Sequence, residues 1–146
     1  MAPLKKILVA DDEAGIRALL FDALSDEGFK VTLAKDGRDS LHQMRKGRFD
    51  LLITDINMPG LDGIQLLKEM KREGRRERVI ILTGDSENEA ALGGDIPPVF
   101  KFLHKPVPIH SIVDVVTSAL KEPTAEKRKG GRNPRKKTTK RENHAL

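Results

Sequence analysis

Five short apolar runs recur along the chain, with helical periodicity between them: Ile7–Ala10, Val31–Ala34, Leu51–Thr54, Val79–Leu82 and Val99–Leu103. Three of them, Ile7–Ala10, Leu51–Ile53 and Val79–Leu82, are apolar at every position. An alternating strand can leave one face in water, but a continuously apolar one needs cover on both. Between the runs, Ile16, Leu19, Leu20, Ala23 and Leu24 step by three and one, which marks one face of a helix. Gly28 is a suitable stop for it. Ile109, Ile112, Val113, Val116, Ala119 and Leu120 make a second such face. Leu41 with Met44, and Ile64 with Leu67 and Met70, make shorter ones. Strands alternating with helices predict an α/β fold, a doubly wound five-stranded parallel sheet with helices on both sides. Such sheets bind ligands beyond the carboxyl ends of their strands, where the strand order switches. The residues just after each run are therefore the candidates for chemistry.

Those residues are not a random polar set. Asp11 and Asp12 follow the first run, Asp55 the third, Thr83 with Gly84 the fourth, and Lys105 with Pro106 the fifth. Three carboxylates brought together repel one another unless a cation compensates. Hard oxygen ligands suit Mg²⁺, which also neutralises charge on a phosphoryl group moving to a carboxylate nucleophile. Lys105 supplies a point positive charge and Thr83 a hydroxyl donor for phosphoryl oxygens. Asp55, the acid at the end of a buried run, is the group that would accept the phosphoryl.

Each residue also has a plainer role. Asp11 and Asp12 could cap the following helix, Asp55 could serve the turn at Pro59-Gly60, and Phe102 could be core. Their joint placement at four strand ends favours a site. His104 adjoins Lys105, but neighbours in a strand point to opposite faces, so it should look away from the site. His42, His104, His110 and His144 are read as non-catalytic, and no His pair has metal-ligand spacing. There is no glycine-rich nucleotide loop.

Taken together, "ADDE" (Ala10–Glu13), "TDINMPGLDG" (Thr54–Gly63), "LTG" (Leu82–Gly84) and "FLHKP" (Phe102–Pro106) resemble the receiver domain of bacterial two-component response regulators. The resemblance spans about residues 4–120. It implies a flavodoxin-like sheet of order 2-1-3-4-5, with Asp55 as phosphoacceptor. It implies that Asp12 and Asp55 bind Mg²⁺ directly, Asp11 mostly through water, and Asn57 through its backbone carbonyl. Thr83 and Lys105 would contact the phosphoryl group, and Thr83 with Phe102 would form the switch. The Lys105-Pro106 bond would be cis. The implied partner is a sensor histidine kinase or phosphotransfer protein, with a downstream protein target that the sequence does not name. The implied activity is self-phosphorylation and autodephosphorylation rather than enzymatic turnover.

One stretch departs from that pattern. From Asp85 the chain reads "DSENEAALGGDIPPV", with Gly93-Gly94 and Pro97-Pro98, where the family usually has a helix. At most a short helix followed by a loop is expected. A competing function is a phosphatase of the haloacid dehalogenase type, which also uses an Asp, a Ser or Thr and a Lys in this order. It needs an acid two residues after the nucleophile, and that position is Asn57.

Charge divides the chain in two. Residues 1–120 hold 17 Lys and Arg against 19 Asp and Glu, whereas residues 121–146 hold 10 against 3. The second segment is almost devoid of apolar residues and is expected to be a disordered, basic C-terminal tail. It would contact polyanions such as DNA or an anionic membrane surface weakly, or act as a solubilising extension. A protein whose function is driven by this tail, through nucleic acid, is the third functional possibility. The domain division is thus 1–120 and 121–146. There is no cysteine, no secretory signal and no transmembrane segment, which fits a cytoplasmic bacterial protein.

Overall fold

The computed structural model describes residues 3–84 and 93–121. Its strands are β1 (Lys6–Ala10), β2 (Lys30–Ala34), β3 (Leu51–Thr54), β4 (Arg78–Thr83) and β5 (Lys101–His104). Its helices are α1 (Ala14–Asp26), α2 (Gly37–Lys46), α3 (Gly63–Arg72) and α4 (Ile109–Ala119). All four strand pairings are parallel and the order is β2-β1-β3-β4-β5. The three continuously apolar runs are the three central strands. In β3 every residue is buried, and β1 and β4 are buried apart from their first residues. The edge strands β2 and β5 are only partly covered.

The pleat divides the apolar strand residues between two cores. Leu8, Leu52 and Ile81 face α2 and α3, joining Leu41, Met44, Leu66, Leu67 and Met70. Ile7, Val9, Ile53 and Ile80 face α1 and α4, joining Leu20, Leu24, Ile112 and Val116. Burying one such side chain fully is worth roughly 1.5–3 kcal/mol, so each helix is held chiefly by its inner face. Side-chain caps fix the starts of α2 and α3. Asp36 accepts the Asp39 N–H at 2.8 Å to open α2. Asp62 and Gln65 form a reciprocal capping box on α3. Gly28 closes the α1 turn at φ 95°, a conformation that side chains disfavour.

Two expectations need correction. Leu19 is 41% exposed and is not part of the α1 core face. Residues advance about 100° around a helix, so a stripe centred between Leu20 and Leu24 leaves Leu19 well off to one side. The last strand begins at Lys101, so Val99 and Phe100 precede it, although the Phe100 N–H already donates to the Val79 carbonyl at 2.7 Å. Residues 93–100 form neither helix nor strand, as Gly93-Gly94 and Pro97-Pro98 dictate. The short helix expected after Asp85 would fall on residues 85–92, outside the described ones. The tail from residue 122 onward also lies outside them. The Lys105-Pro106 bond is cis.

Candidate functional site

The carboxyl ends of β1, β3 and β5 bring Asp11, Asp12, Asp55 and Lys105 together. Carboxylate oxygens of the three acids lie within 4.8 Å of one another. Asp11 is 2% exposed and Asp55 is 7% exposed, while Asp12 stands open to solvent. The Lys105 ammonium spans the two buried acids, 3.1 Å from Asp11 Oδ2 and 3.1 Å from Asp55 Oδ2. It also reaches Glu13 Oε1 at 3.4 Å. Thr83 is fully buried at the end of β4, and its carbonyl accepts the Lys105 N–H at 2.8 Å.

The backbone sets the orientation of each acid. Asp11 does not cap α1, since the N-cap position is Glu13. Instead Asp11 Oδ1 accepts the Glu13 N–H at 2.9 Å, and the Asp11 carbonyl accepts the Arg17 guanidinium at 2.7 Å. Asp55 Oδ1 accepts the Ile56 N–H at 2.7 Å and, at longer range, the Asn57 N–H at 3.4 Å. That leaves Oδ2 facing Lys105. Behind Asp55, the Gly63 N–H donates to the Ile56 carbonyl at 2.7 Å. A side chain at Gly63 would collide with the Asp55 carbonyl oxygen and come 2.8 Å from the Ile56 Cα. Glycine is therefore required there for close approach, not for a special φ.

The electrostatics record an excess of negative charge. Burial pushes the Asp11 carboxyl upward and Asp55 adds to that, against the Glu13 N–H and Lys105, which pull it down. Burial alone would lower Lys105, but the charges and hydrogen bonds of Asp11 and Asp55 outweigh it and raise the ammonium. A carboxyl raised on folding favours the folded state below its unfolded value, about 3.9 for Asp, and that stability is lost as pH climbs through the folded value. The Lys105 contribution is complete below about 10.4 and fades only above it. In EDTA at neutral pH, Asp11→Asn should therefore melt a few degrees above wild type, and the gap should close toward acid pH. Tm measured against pH for both proteins checks this; identical profiles would contradict it.

Of the other expected site residues, Asn57 is exposed at the mouth beside Asp55. Phe102 is half-buried against the α2–α3 side core. His104 is exposed and its ring lies 5.0 Å from that of Phe102, so it shares the Phe102 face and points away from Lys105. Two members of the site escaped the sequence reading. Glu13 sits in the quoted "ADDE" stretch, and only the reach of Lys105 exposes its part. Gly63 ends the quoted "TDINMPGLDG" stretch, and only the approach of α3 to β3 shows that it must lack a Cβ.

A cluster of this kind at the carboxyl edge of a 2-1-3-4-5 sheet is the arrangement of a phosphoryl-accepting switch, with an acidic pocket of a kind that suits a divalent cation. Comparison with known proteins agrees. Residues 7–117 match the response regulator receiver domain, and the chain belongs to that family. It is 36% identical over 116 residues to sporulation initiation phosphotransferase F of Bacillus subtilis, covering 80% of this chain and 94% of that protein. It is 34% identical over 120 residues to the regulatory protein AtoC of Escherichia coli, covering 82% of this chain but only 26% of that one. The chain thus spans about a quarter of the length of the larger regulators that it matches. Among solved structures, it resembles TrrA of Thermotoga maritima in complex with Mg²⁺-BeF, with TM-score 0.70 and 29% identity, covering 80% of this chain and all of that one. It likewise resembles the chemotaxis protein CheY4 of Vibrio cholerae, with TM-score 0.71 and 28% identity, covering 81% of this chain and all of the other. No helix among the described residues is long and apolar enough to cross a membrane.

Proposed function

We propose that Asp55 accepts a phosphoryl group from a phosphohistidine on a sensor kinase or phosphotransfer protein, and that residues 1–120 are the switch unit so controlled. The observation that carries this is the convergence of Asp11, Asp12, Asp55 and Lys105 at one sheet edge. Asp55 Oδ1 is engaged by backbone N–H groups, so Oδ2 is the oxygen that attacks phosphorus. The new O–P bond forms as the P–N bond of the phosphohistidine breaks, and the electron pair returns to the imidazole. Lys105 then trades its carboxylate contact for a phosphoryl oxygen, and the Thr83 hydroxyl takes another.

The donor set fits Mg²⁺. Three carboxylates converge, burial raises the Asp11 carboxyl, and a single ammonium stands against all three. Asp11, Asp12, Asp55 and the Asn57 carbonyl would hold the ion, which supplies charge neutralisation on the phosphoryl oxygens. An acid is absent two residues after Asp55, where the phosphatase alternative needs one. The reaction is accordingly one phosphorylation per chain, later reversed by water, in a cytoplasmic setting. Downstream, a protein partner reads the Thr83–Phe102 side.

Thermal melting tests the metal reading. Mg²⁺ should raise the wild-type Tm in proportion to the logarithm of its concentration above Kd, as a ligand of the folded state does. Asp12→Ala removes an exposed carboxylate with little structural cost and should erase most of that rise. Equal Mg²⁺ responses from the two proteins would overturn this assignment.

A further inference from the structure

The sheet edge opposite the acidic site is cationic. Four of the five strands begin there on an exposed Lys or Arg: Lys6, Lys30, Arg78 and Lys101. At that edge the α2–β3 and α3–β4 turns and the end of α4 surround an open basin of about 820 Å³. Eight of its lining residues are Lys or Arg and three are acidic, so the basin is positive in sum. The three acids are also already engaged. Asp50 accepts the Lys6 N–H at 2.8 Å, Glu77 is buried against the Arg75 guanidinium, and Glu73 pairs with Arg45. Among the described residues, Arg48, Arg76 and Arg78 have no ion-pair partner, and all three are exposed.

The chemistry of the basin selects a ligand class. Five of its eight cations are arginines. A guanidinium fork matches a phosphate better than a lysine point charge does. None of the exposed large hydrophobic residues lines the basin, and a face that seats in a bilayer needs such residues to insert. The chain leaves the basin at Lys121, and residues 122–146 carry nine Lys and Arg against three Glu, so more cations are tethered to its rim. A duplex presents a negative charge for every ~1.7 Å of its axis, which suits a basin followed by a basic segment. We propose that this basin is a docking surface for the phosphate backbone of double-stranded DNA, without base readout, and that Arg48, Arg76 and Arg78 are its phosphate contacts.

The test titrates the full chain into a labelled DNA duplex at several salt concentrations and reads fluorescence anisotropy. Each phosphate contact contributes about 0.9 to the log–log salt slope. The triple variant Arg48→Gln, Arg76→Gln, Arg78→Gln should therefore have a slope shallower by about 2.7 and an affinity at low salt reduced at least ~10-fold. A control with the same change in net charge, Lys35→Gln, Arg38→Gln, Lys68→Gln, alters exposed cations outside the basin and should keep a slope near wild type. Phosphorylation by acetyl phosphate and Mg²⁺ in every variant verifies the fold. The proposal is overturned if the basin variant keeps the wild-type slope, which would leave any binding to residues 122–146. It is also overturned if the control loses as much as the basin variant, if wild type prefers anionic vesicles or duplex RNA to duplex DNA, or if wild type binds no DNA.

Discussion

Asp55→Asn should abolish phosphate uptake: incubated with acetyl phosphate and Mg²⁺, the wild-type chain should gain one phosphoryl group and the variant none. The change is nearly isosteric, and the amide oxygen can still accept the Ile56 N–H that orients Asp55 at 2.7 Å. What is lost is the anionic Oδ2 beside Lys105. An amide oxygen is too weak a nucleophile to displace imidazole or acetate from phosphorus. The folded state should survive, because removing one of three crowded carboxylates also removes repulsion. Intact-mass spectrometry reads the result directly. Stable phosphate on the variant, or wild-type phosphate mapped to another residue, would end the assignment.

Gly63→Ala should be the most damaging single methyl group at the site. The atoms that it meets are the Asp55 carbonyl and the Ile56 Cα, both backbone, so no side chain can swing aside. The start of α3 would have to lift away from β3, breaking the 2.7 Å hydrogen bond from Gly63 to the Ile56 carbonyl. A cost of about 3 kcal/mol is expected, which for a domain of this size lowers Tm by roughly 10 °C or more. Gly15→Ala is the counterpart. Gly15 lies in α1 with open space around its Cα, so added helix propensity should raise stability by about 0.5 kcal/mol. Opposite signs from two Gly→Ala changes test the close approach itself; a Gly63→Ala protein melting within a degree or two of wild type would refute it.

The parts legible in the sequence share a cause. Ile7–Ala10, Leu51–Ile53 and Val79–Leu82 announce central strands because burial on both faces forbids polar residues, and that constraint is local. Once the strands are placed, Asp11, Asp55, Thr83 and Lys105 follow from position alone. The features that were missed depend on what the topology brings near. Gly63 looks like any turn glycine until α3 packs on the Asp55 carbonyl. Leu19 obeys helical spacing, yet the sheet covers the stripe on its other side. Arg48, Arg76, Arg78 and Lys121 are scattered in sequence, and only the parallel winding of the chain gathers them at one sheet edge.

The two walls of the acidic site differ in stiffness. Behind Asp55, the Asp62–Gln65 capping box, the Gly63 hydrogen bond and the absence of any gap beside Gly63 clamp the start of α3 against β3. On the far side, Thr83 ends β4 and Lys105 follows β5, and β5 is an edge strand with a single neighbour. A phosphoryl group on Asp55 would then be a load pressed against an anvil. The clamped wall should yield less, so the displacement should pass across the site to the edge strand, through Lys105 to the end of β5 and Phe102. That asymmetry is present in the fold before any phosphoryl group or partner arrives.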